Sequence, residues 1–434
     1  MSYDNEQLAI EMAAISAVNS AQLVEIAGTA GELNRIQTTL TDSHDRVSTV
    51  KELLQGVKPH EVTTDLAKAV DNQLSRLDVL SVNGDDVQGV EALGISLMPS
   101  DYLKQRIKGC EGFLDGFTAK LNLITREIGT KFKDAYVLLA ETHDSLEARI
   151  KALETDMEAM GKFASGTSEI NLGYRLYNLF QVNREIRQDW SNQLSKVSNT
   201  VGGLSSNYYV NAKTNLNTIL SYFGGFEGLD EERATERYLE YPVSIPSIRF
   251  KECSFPDKTR RETNVKYYVS VEMMGGRYFV DSRQAAPRLH PGTIDEVNDY
   301  VDTYLEVEGV VFNDKPDREF SDLKQTVKSL GSDEIKEIIK QMRAILKSWE
   351  KIYVDGDKYK LADRDFEGIY KAIFEADWDT QFKHYVLAAF SATVRKHQDE
   401  LLQLRSKVNA YLVFLINGMV EFCYASMRVN EPEE

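Results

Sequence analysis

Cysteine is scarce in this sequence: Cys110, Cys253 and Cys423 are all it has, far apart and odd in number. A secreted domain stapled by disulfides normally carries an even set, so a reducing compartment is expected. Proline is scarce as well, with nine in 434 residues. Together with 42% hydrophobic and 27% charged residues, this argues against a disordered chain. A surplus of positive charge is missing: 51 Lys and Arg stand against 68 Asp and Glu, a net −17 that repels phosphate. The basic clusters Lys258-Arg260-Arg261 and Arg343-Lys347-Lys351 are short and have acidic neighbours, so no strong nucleic-acid signal is read. A long apolar run is also lacking. Tyr411-Leu412-Val413-Phe414-Leu415-Ile416 meets Asn417 and Gly418 at once. It falls short of the roughly 20 residues of a membrane span, and no transmembrane segment is expected. Met1-Ser2-Tyr3-Asp4 has neither the basic nor the apolar region of a signal peptide.

Catalytic signatures are missing too. The six histidines, His44, His60, His143, His290, His384 and His397, show no HExxH spacing, and no two cysteines form CxxC. There is no GxxxxGK[ST] loop, no GxGxxG after a strand and no GxSxG elbow. The densest carboxylate cluster, Asp355-Gly356-Asp357 followed by Asp363, Asp365 and Glu367, lacks EF-hand spacing and reads as a solvated acidic turn. No catalytic residue, metal or cofactor is expected, and the chain is read as a non-enzyme.

What is present is helical periodicity. Leu33, Ile36, Leu40, Val47, Val50, Leu54 and Val57 form a heptad seam with Ser43 in the missing seat. Pro59 ends it, and Leu66, Val70, Leu74 and Leu77 follow, which suggests an antiparallel pair of helices. Ser100 and Asp101 can cap a helix running through Ile107, Leu114, Phe117, Leu121, Ile124 and Ile128 towards Met160. Gly109, Gly112, Gly116 and Gly129 predict kinks or close helix contacts within it. Glu141, Asp144, Glu147, Arg149, Lys151 and Glu154 read as its wet face. A further helix is predicted from about residue 171 to 198, with Tyr174, Tyr177, Phe180, Trp190 and the pair Tyr208-Tyr209 as core aromatics rather than a stacking site. Residues 244–250 read as a strand, and Val265, Tyr267, Val269 and Val271 with Gly275-Gly276 before Tyr278 read as a hairpin. Phe320, Leu323, Val327 and Leu330 predict a helix closed by Gly331. Ser332 is read as the cap of the next helix, and a last helix spans about 379–429, with His397 a core histidine on its seam.

The expected fold class is therefore mainly α, an elongated bundle of long amphipathic helices with a small β-hairpin-containing insertion. Four segments are expected: 1–90, an N-terminal helical hairpin; 91–235, a long-helix bundle; 236–316, the β insertion; and 317–434, a C-terminal helical domain on the bundle.

Gly89-Val90-Glu91-Ala92-Leu93-Gly94, Ile107-Lys108-Gly109-Cys110-Glu111-Gly112-Phe113, Phe132-Lys133-Asp134-Ala135 and Leu146-Glu147-Ala148-Arg149-Ile150-Lys151-Ala152-Leu153 resemble the internal head proteins of phiKZ-like jumbo phages. Leu404-Arg405-Ser406-Lys407-Val408-Asn409-Ala410 is similar to that family's C-terminal part. The resemblance implies a virion structural protein inside the phage head, made in the host cytoplasm, with other head proteins as partners. It also implies an N-terminal propeptide, removed by a maturation protease that cuts after a small residue, any residue and Glu. Gly89, Val90 and Glu91 fit that pattern. Ala30-Gly31-Glu32, Ser145-Leu146-Glu147 and Ser332-Asp333-Glu334 match it as well. The heptad seams admit self-association. Competing readings are a non-phage helical scaffold or coiled-coil adaptor, a pore-forming-like membrane-active protein whose apolar tongue would be residues 265–280, and an enzyme with an unfamiliar site.

Overall fold

The computed structural model describes residues 3–75, 99–166, 168–182, 185–241, 251–253, 265–284, 292–301, 305, 309–313, 326–354 and 363–430. Three long helices form its frame: α1 (Tyr3–Gly56), α3 (Pro99–Met160) and, last in the chain, α11 (Thr380–Arg428). At 1.5 Å per residue α3 alone is about 93 Å long. The expected stop at Pro59 holds: α1 ends at Gly56, a 3-10 turn covers Pro59–Glu61, and α2 spans Thr64–Ser75.

The partner of α1 differs from the expected one. With 12 residues, α2 is too short to cover 54. It closes a small separate core at one end, where Val70 and Leu74 meet Val47, Val50 and Leu54 of α1 and Leu103 and Cys110 of α3. The long antiparallel partner of α1 is α3. The seam expected to admit a second chain is largely covered within this one, since Leu40, Ser43, Val47, Val50 and Leu54 are all buried.

Neither helix breaks at its glycines. The α3 helix runs unbroken through Gly109, Gly112, Gly116 and Gly129. A Cβ added at Gly112 or Gly116 would meet open space, so these two are not close-contact positions. The close approaches lie elsewhere. A Cβ at Gly418 would stand 2.5 Å from Leu179, and one at Gly331 would stand 2.7 Å from the backbone nitrogen of Ser165.

The stretch expected as one helix from 171 to 198 is divided into β1 (Glu169–Asn171), α4 (Tyr174–Phe180), β2 (Gln181–Val182), β3 (Glu185–Ile186) and the start of α5 (Trp190–Gly203). Tertiary hydrogen bonds explain the break. The Gln181 carbonyl accepts the N–H groups of both Gly275 and Gly276, and the Phe180 carbonyl accepts that of Arg187. A π-helical stretch, Leu204–Tyr208, joins α5 to α6 (Tyr209–Gly224), and α7 (Glu231–Leu239) follows, capped by Asp230.

The insertion is an antiparallel sheet in sequential order: β4 (Lys251–Cys253), β5 (Val265–Val269), β6 (Tyr278–Gln284) and β7 (Gly309–Asn313). The β5–β6 hairpin turns where the paired glycines predicted it. Gly275 and Gly276 have φ of 79° and 69°, a region open to glycine. Between β6 and β7 lies the short α8 (Ile294–Asp299). The strand expected at 244–250 lies outside the described residues.

Val327 belongs to a strand, not a helix. In β8 (Thr326–Lys328) it pairs with Ile170 of β1, and both side chains are buried. Gly331 then opens the next helix rather than closing one. Its carbonyl accepts Ile335 N–H, and its N–H donates to Glu334 at the start of α9 (Ser332–Val354). Ser332 is the first residue of α9, and its hydroxyl donates to the Phe163 carbonyl instead of capping. The α10 helix (Asp363–Glu375) precedes α11, whose expected cap Asp379 accepts the N–H groups of Gln381 and Phe382.

One contiguous core draws on α1, α3, α5, α6, the sheet, α9, α10 and α11. Its axis is the C-terminal half of α11, where residues 415–420 are buried without a gap. Such all-round burial is the setting of a central helix. By length and composition α11 contains an 18-residue window apolar enough to cross a membrane, longer than the six-residue run suggested, but 78% of that window is buried in the chain's own core.

Candidate functional site: polar links inside the three-helix core

Helices packed on apolar faces alone can slide by a turn, because one Leu or Val seat resembles the next. Polar groups buried between them remove that freedom, since a shifted register leaves a donor or acceptor unpaired. The frame contains several such groups. Asn417 of α11 donates to the Ser16 hydroxyl of α1 at 3.2 Å. Its side-chain carbonyl accepts from the Arg149 guanidinium of α3, so one amide ties three helices. Arg149 is 4% exposed. Burial pulls it down to about 10, opposed by Glu421 at 3.7 Å, so it stays protonated at neutral pH. Arg175 of α4 meets the same carboxylate at 2.7 Å.

The register is regular. Arg149 pairs with Asn417, Asp156 accepts from Tyr424 at 3.1 Å, and Tyr136 is bonded to Arg405. The partners lie 268, 268 and 269 positions apart, so α3 and α11 run parallel without slippage over this length. Arg405 is 1% exposed and its guanidinium lies over the Tyr209 ring at 4.6 Å. Towards the opposite end, Gln37 of α1 donates to Tyr370 of α10 at 3.1 Å, and Tyr370 meets Ser391 of α11 at 2.6 Å. Burial pushes the Tyr370 phenol up to about 12. Thr380 at the start of α11 donates to Glu52 of α1 at 3.1 Å.

The expected wet face of α3 needs correction. Arg149 is a core residue, and Glu147 and Glu154 both bind Arg343 of α9, at 2.9 Å and 2.8 Å. The bond to Arg343 holds the Glu154 carboxyl below its usual range, and that to Glu154 raises Arg343. Glu141, Asp144 and Lys151 are exposed as expected. The sequence could not show the contacts of Glu147 and Glu154, because their partner Arg343 lies 196 and 189 positions away. Arg343 is thereby committed to α3. The other basic cluster, Lys258-Arg260-Arg261, lies outside the described residues.

The remaining candidates are quickly placed. Tyr177, Phe180, Trp190, Tyr208 and Tyr209 are buried, and Phe180 and Trp190 pack with Phe422 at 4.9 and 5.3 Å. His397 is buried with Nδ1 2.9 Å from the Thr393 carbonyl. His44 sits between Phe117 and Phe374, each 4.4 Å away. Cys110 and Cys423 are buried free thiols. Asp355, Gly356 and Asp357 lie outside the described residues, while Asp363, Asp365 and Glu367 fall in the first turns of α10. Among the described residues no group of three or more His, Cys, Asp or Glu side chains is placed to hold a metal ion. Gly89, Val90 and Glu91 lie outside the described residues. Ala30-Gly31-Glu32, Ser145-Leu146-Glu147 and Ser332-Asp333-Glu334 lie in helices, in α1, in α3 and at the start of α9, whereas Gly225-Phe226-Glu227 and Ser270-Val271-Glu272, which also fit the pattern, lie outside helices.

These features define a class: a helical packing protein whose buried polar residues fix how its long helices align. Comparison of the sequence with protein families gives the particular one. A profile of the phiKZ-like phage internal head proteins matches residues 13–425, and the chain belongs to that family. No curated protein and no solved structure matches it. The family places the chain in the virion, inside the phage head, in the company of other head components.

Proposed function

We propose that this internal head protein is a non-catalytic structural component of a jumbo phage, made in the host cytoplasm and held in the head by packing against other head proteins. The observation that carries the reading is where the buried polar groups are used. Arg149, Asn417, Asp156, Arg405 and Tyr370 bind other helices of the same frame. A rod of fixed register suits a load-bearing or space-filling part. The net charge of −17 supports protein neighbours over direct neutralisation of packaged DNA.

Maturation after Glu91 by a head protease belongs to the same reading. It is supported by the Gly89-Val90-Glu91 match, while Ala30-Gly31-Glu32, Ser145-Leu146-Glu147 and Ser332-Asp333-Glu334 lie in helices, whose backbone is a poor protease substrate. Peptide mapping of purified, nuclease-treated particles tests both parts. Recovery of the chain beginning at Ala92 supports a processed head protein, and recovery from Met1 or Ser2 rejects the cleavage while keeping the structural role. Abundance in infected cells with absence from particles would overturn the reading.

A further inference from the structure

The first half of α1 breaks a rule that other helices of this molecule keep. Exposed positions of α9 include Asp333, Glu334, Lys336, Lys340, Lys347 and Lys351. Between positions 10 and 29 of α1, twelve residues are exposed and only Glu11 and Glu25 are charged. Ile10, Val18 and Val24 are 57%, 55% and 48% exposed. Ile10, Ala14, Ala17, Ala21, Val24 and Gly28 are all exposed and follow a 3-4 alternation over nearly three heptads. This second seam faces away from the one formed by Leu23, Ala27, Ala30 and Leu40, which is buried in the frame. Nothing lies within 4 Å of a Cβ built at Gly28. Among the described residues nothing covers this apolar stripe, and an exposed apolar patch of this kind marks a packing surface.

Charge selects the occupant. Both charges on the face are carboxylates. Over the neighbouring length of α3 the exposed residues are Lys133, Asp134, Val137, Glu141 and Asp144, three acids against one base. Glu141 stands at the border, 3.5 Å from Asn19 of α1. A second copy of this chain would bring the same acidic rim and another −17. Anionic lipid and nucleic acid would be repelled as well. We propose that this face of α1 docks an amphipathic helix of another protein, with small or aliphatic residues at its a and d positions and Lys or Arg on its flanks. The seam supplies close approach, and the acidic rim supplies partner choice. The inference rests on the exposed surface and does not require the chain to be cleaved or retained in particles.

The test uses the full chain and two fluorescein-labelled 24-residue helical peptides with Leu and Ala in a and d positions. One carries Lys at the e and g positions, the other Glu. The Lys peptide is expected to bind at least tenfold tighter, and to weaken as salt rises. Val18→Arg and, separately, Ala21→Arg should each reduce its binding at least tenfold, with helical melting unchanged because both positions are exposed. Leu123→Arg, on an exposed part of α3 far along the rod, should leave binding as it was. Equal binding of the two peptides, no binding, or insensitivity to both α1 substitutions would overturn the proposal. So would a dimer in sedimentation, or attachment to neutral phosphatidylcholine vesicles, that Val18→Arg abolishes. The first result would assign the face to a second copy, the second to lipid.

Discussion

Asn417 shows how much one buried amide can decide. It bonds Ser16 and Arg149 on two other helices, and replacing it by Leu keeps the volume while leaving a guanidinium facing carbon. Removing one partner of a buried charged contact costs about 3–5 kcal/mol. Arg149→Met, which takes away the charge itself, is expected to cost less than Asn417→Leu. Chemical denaturation of the two single variants and the double variant checks this, and a double variant as damaged as the sum of the singles would refute the coupling. At Cys423 burial raises the thiol well above its ordinary value, so little thiolate forms near neutral pH. Iodoacetamide labelling mapped by mass spectrometry should leave Cys423 unmodified in the native protein and modify it once denaturant is added. Rapid native labelling would contradict the central position of α11. None of this was visible in the sequence, where Arg149 sits in a run of charged residues and Asn417 interrupts an apolar one. A periodicity argument sees spacing along one helix and not the polar atom on the next.

Among the elements, glycines separate into two kinds. Gly112 and Gly116 occupy open positions in a continuous helix. Substitution by Ala there should stabilise the protein by roughly 0.5–1 kcal/mol each, through helix propensity and a less free unfolded chain. Gly331→Ala should destabilise it, because the new Cβ would meet the backbone of Phe163, Ala164 and Ser165, which has no rotamer to escape into. Thermal melting of these variants tests the contrast, and a neutral Gly331→Ala would show that the crossing is looser than described. The helices longest in sequence were the most legible: Pro59 as a stop, Asp379 as a cap and the paired glycines of the hairpin stand where local chemistry placed them. Illegible were β1 and β8. Three residues each, they exist because Ile170 and Val327, far apart in the chain, bury each other. The spacing of Val327 and Leu330 instead imitates a helix turn.

For the whole molecule, length and acid response follow from the frame. A compact domain of this size has a radius of gyration of about 22 Å, whereas a rod as long as α3 has roughly 27 Å. Small-angle scattering should give the larger value with a maximum dimension of at least about 90 Å; a spherical profile would exclude the extended frame. The Glu154 carboxyl is held low by Arg343, so the folded state binds fewer protons than the unfolded one near and below the ordinary carboxylate value. That contribution is present above that value and is lost as pH falls through the lowered one, so Arg343→Met should flatten the decline in stability between about pH 5 and 3. Equal acid sensitivity in both proteins would remove the link. The constant spacing between α3 and α11 has a practical consequence for locating the molecule. Since α3 and α11 run parallel, a fluorescent tag appended after α11 would report the pole where both finish, and it stays on the chain whether or not it is cut after Glu91. A second label near Thr380 would mark the other pole, and the vector between them would reveal whether the rods in a particle lie radially or around its circumference.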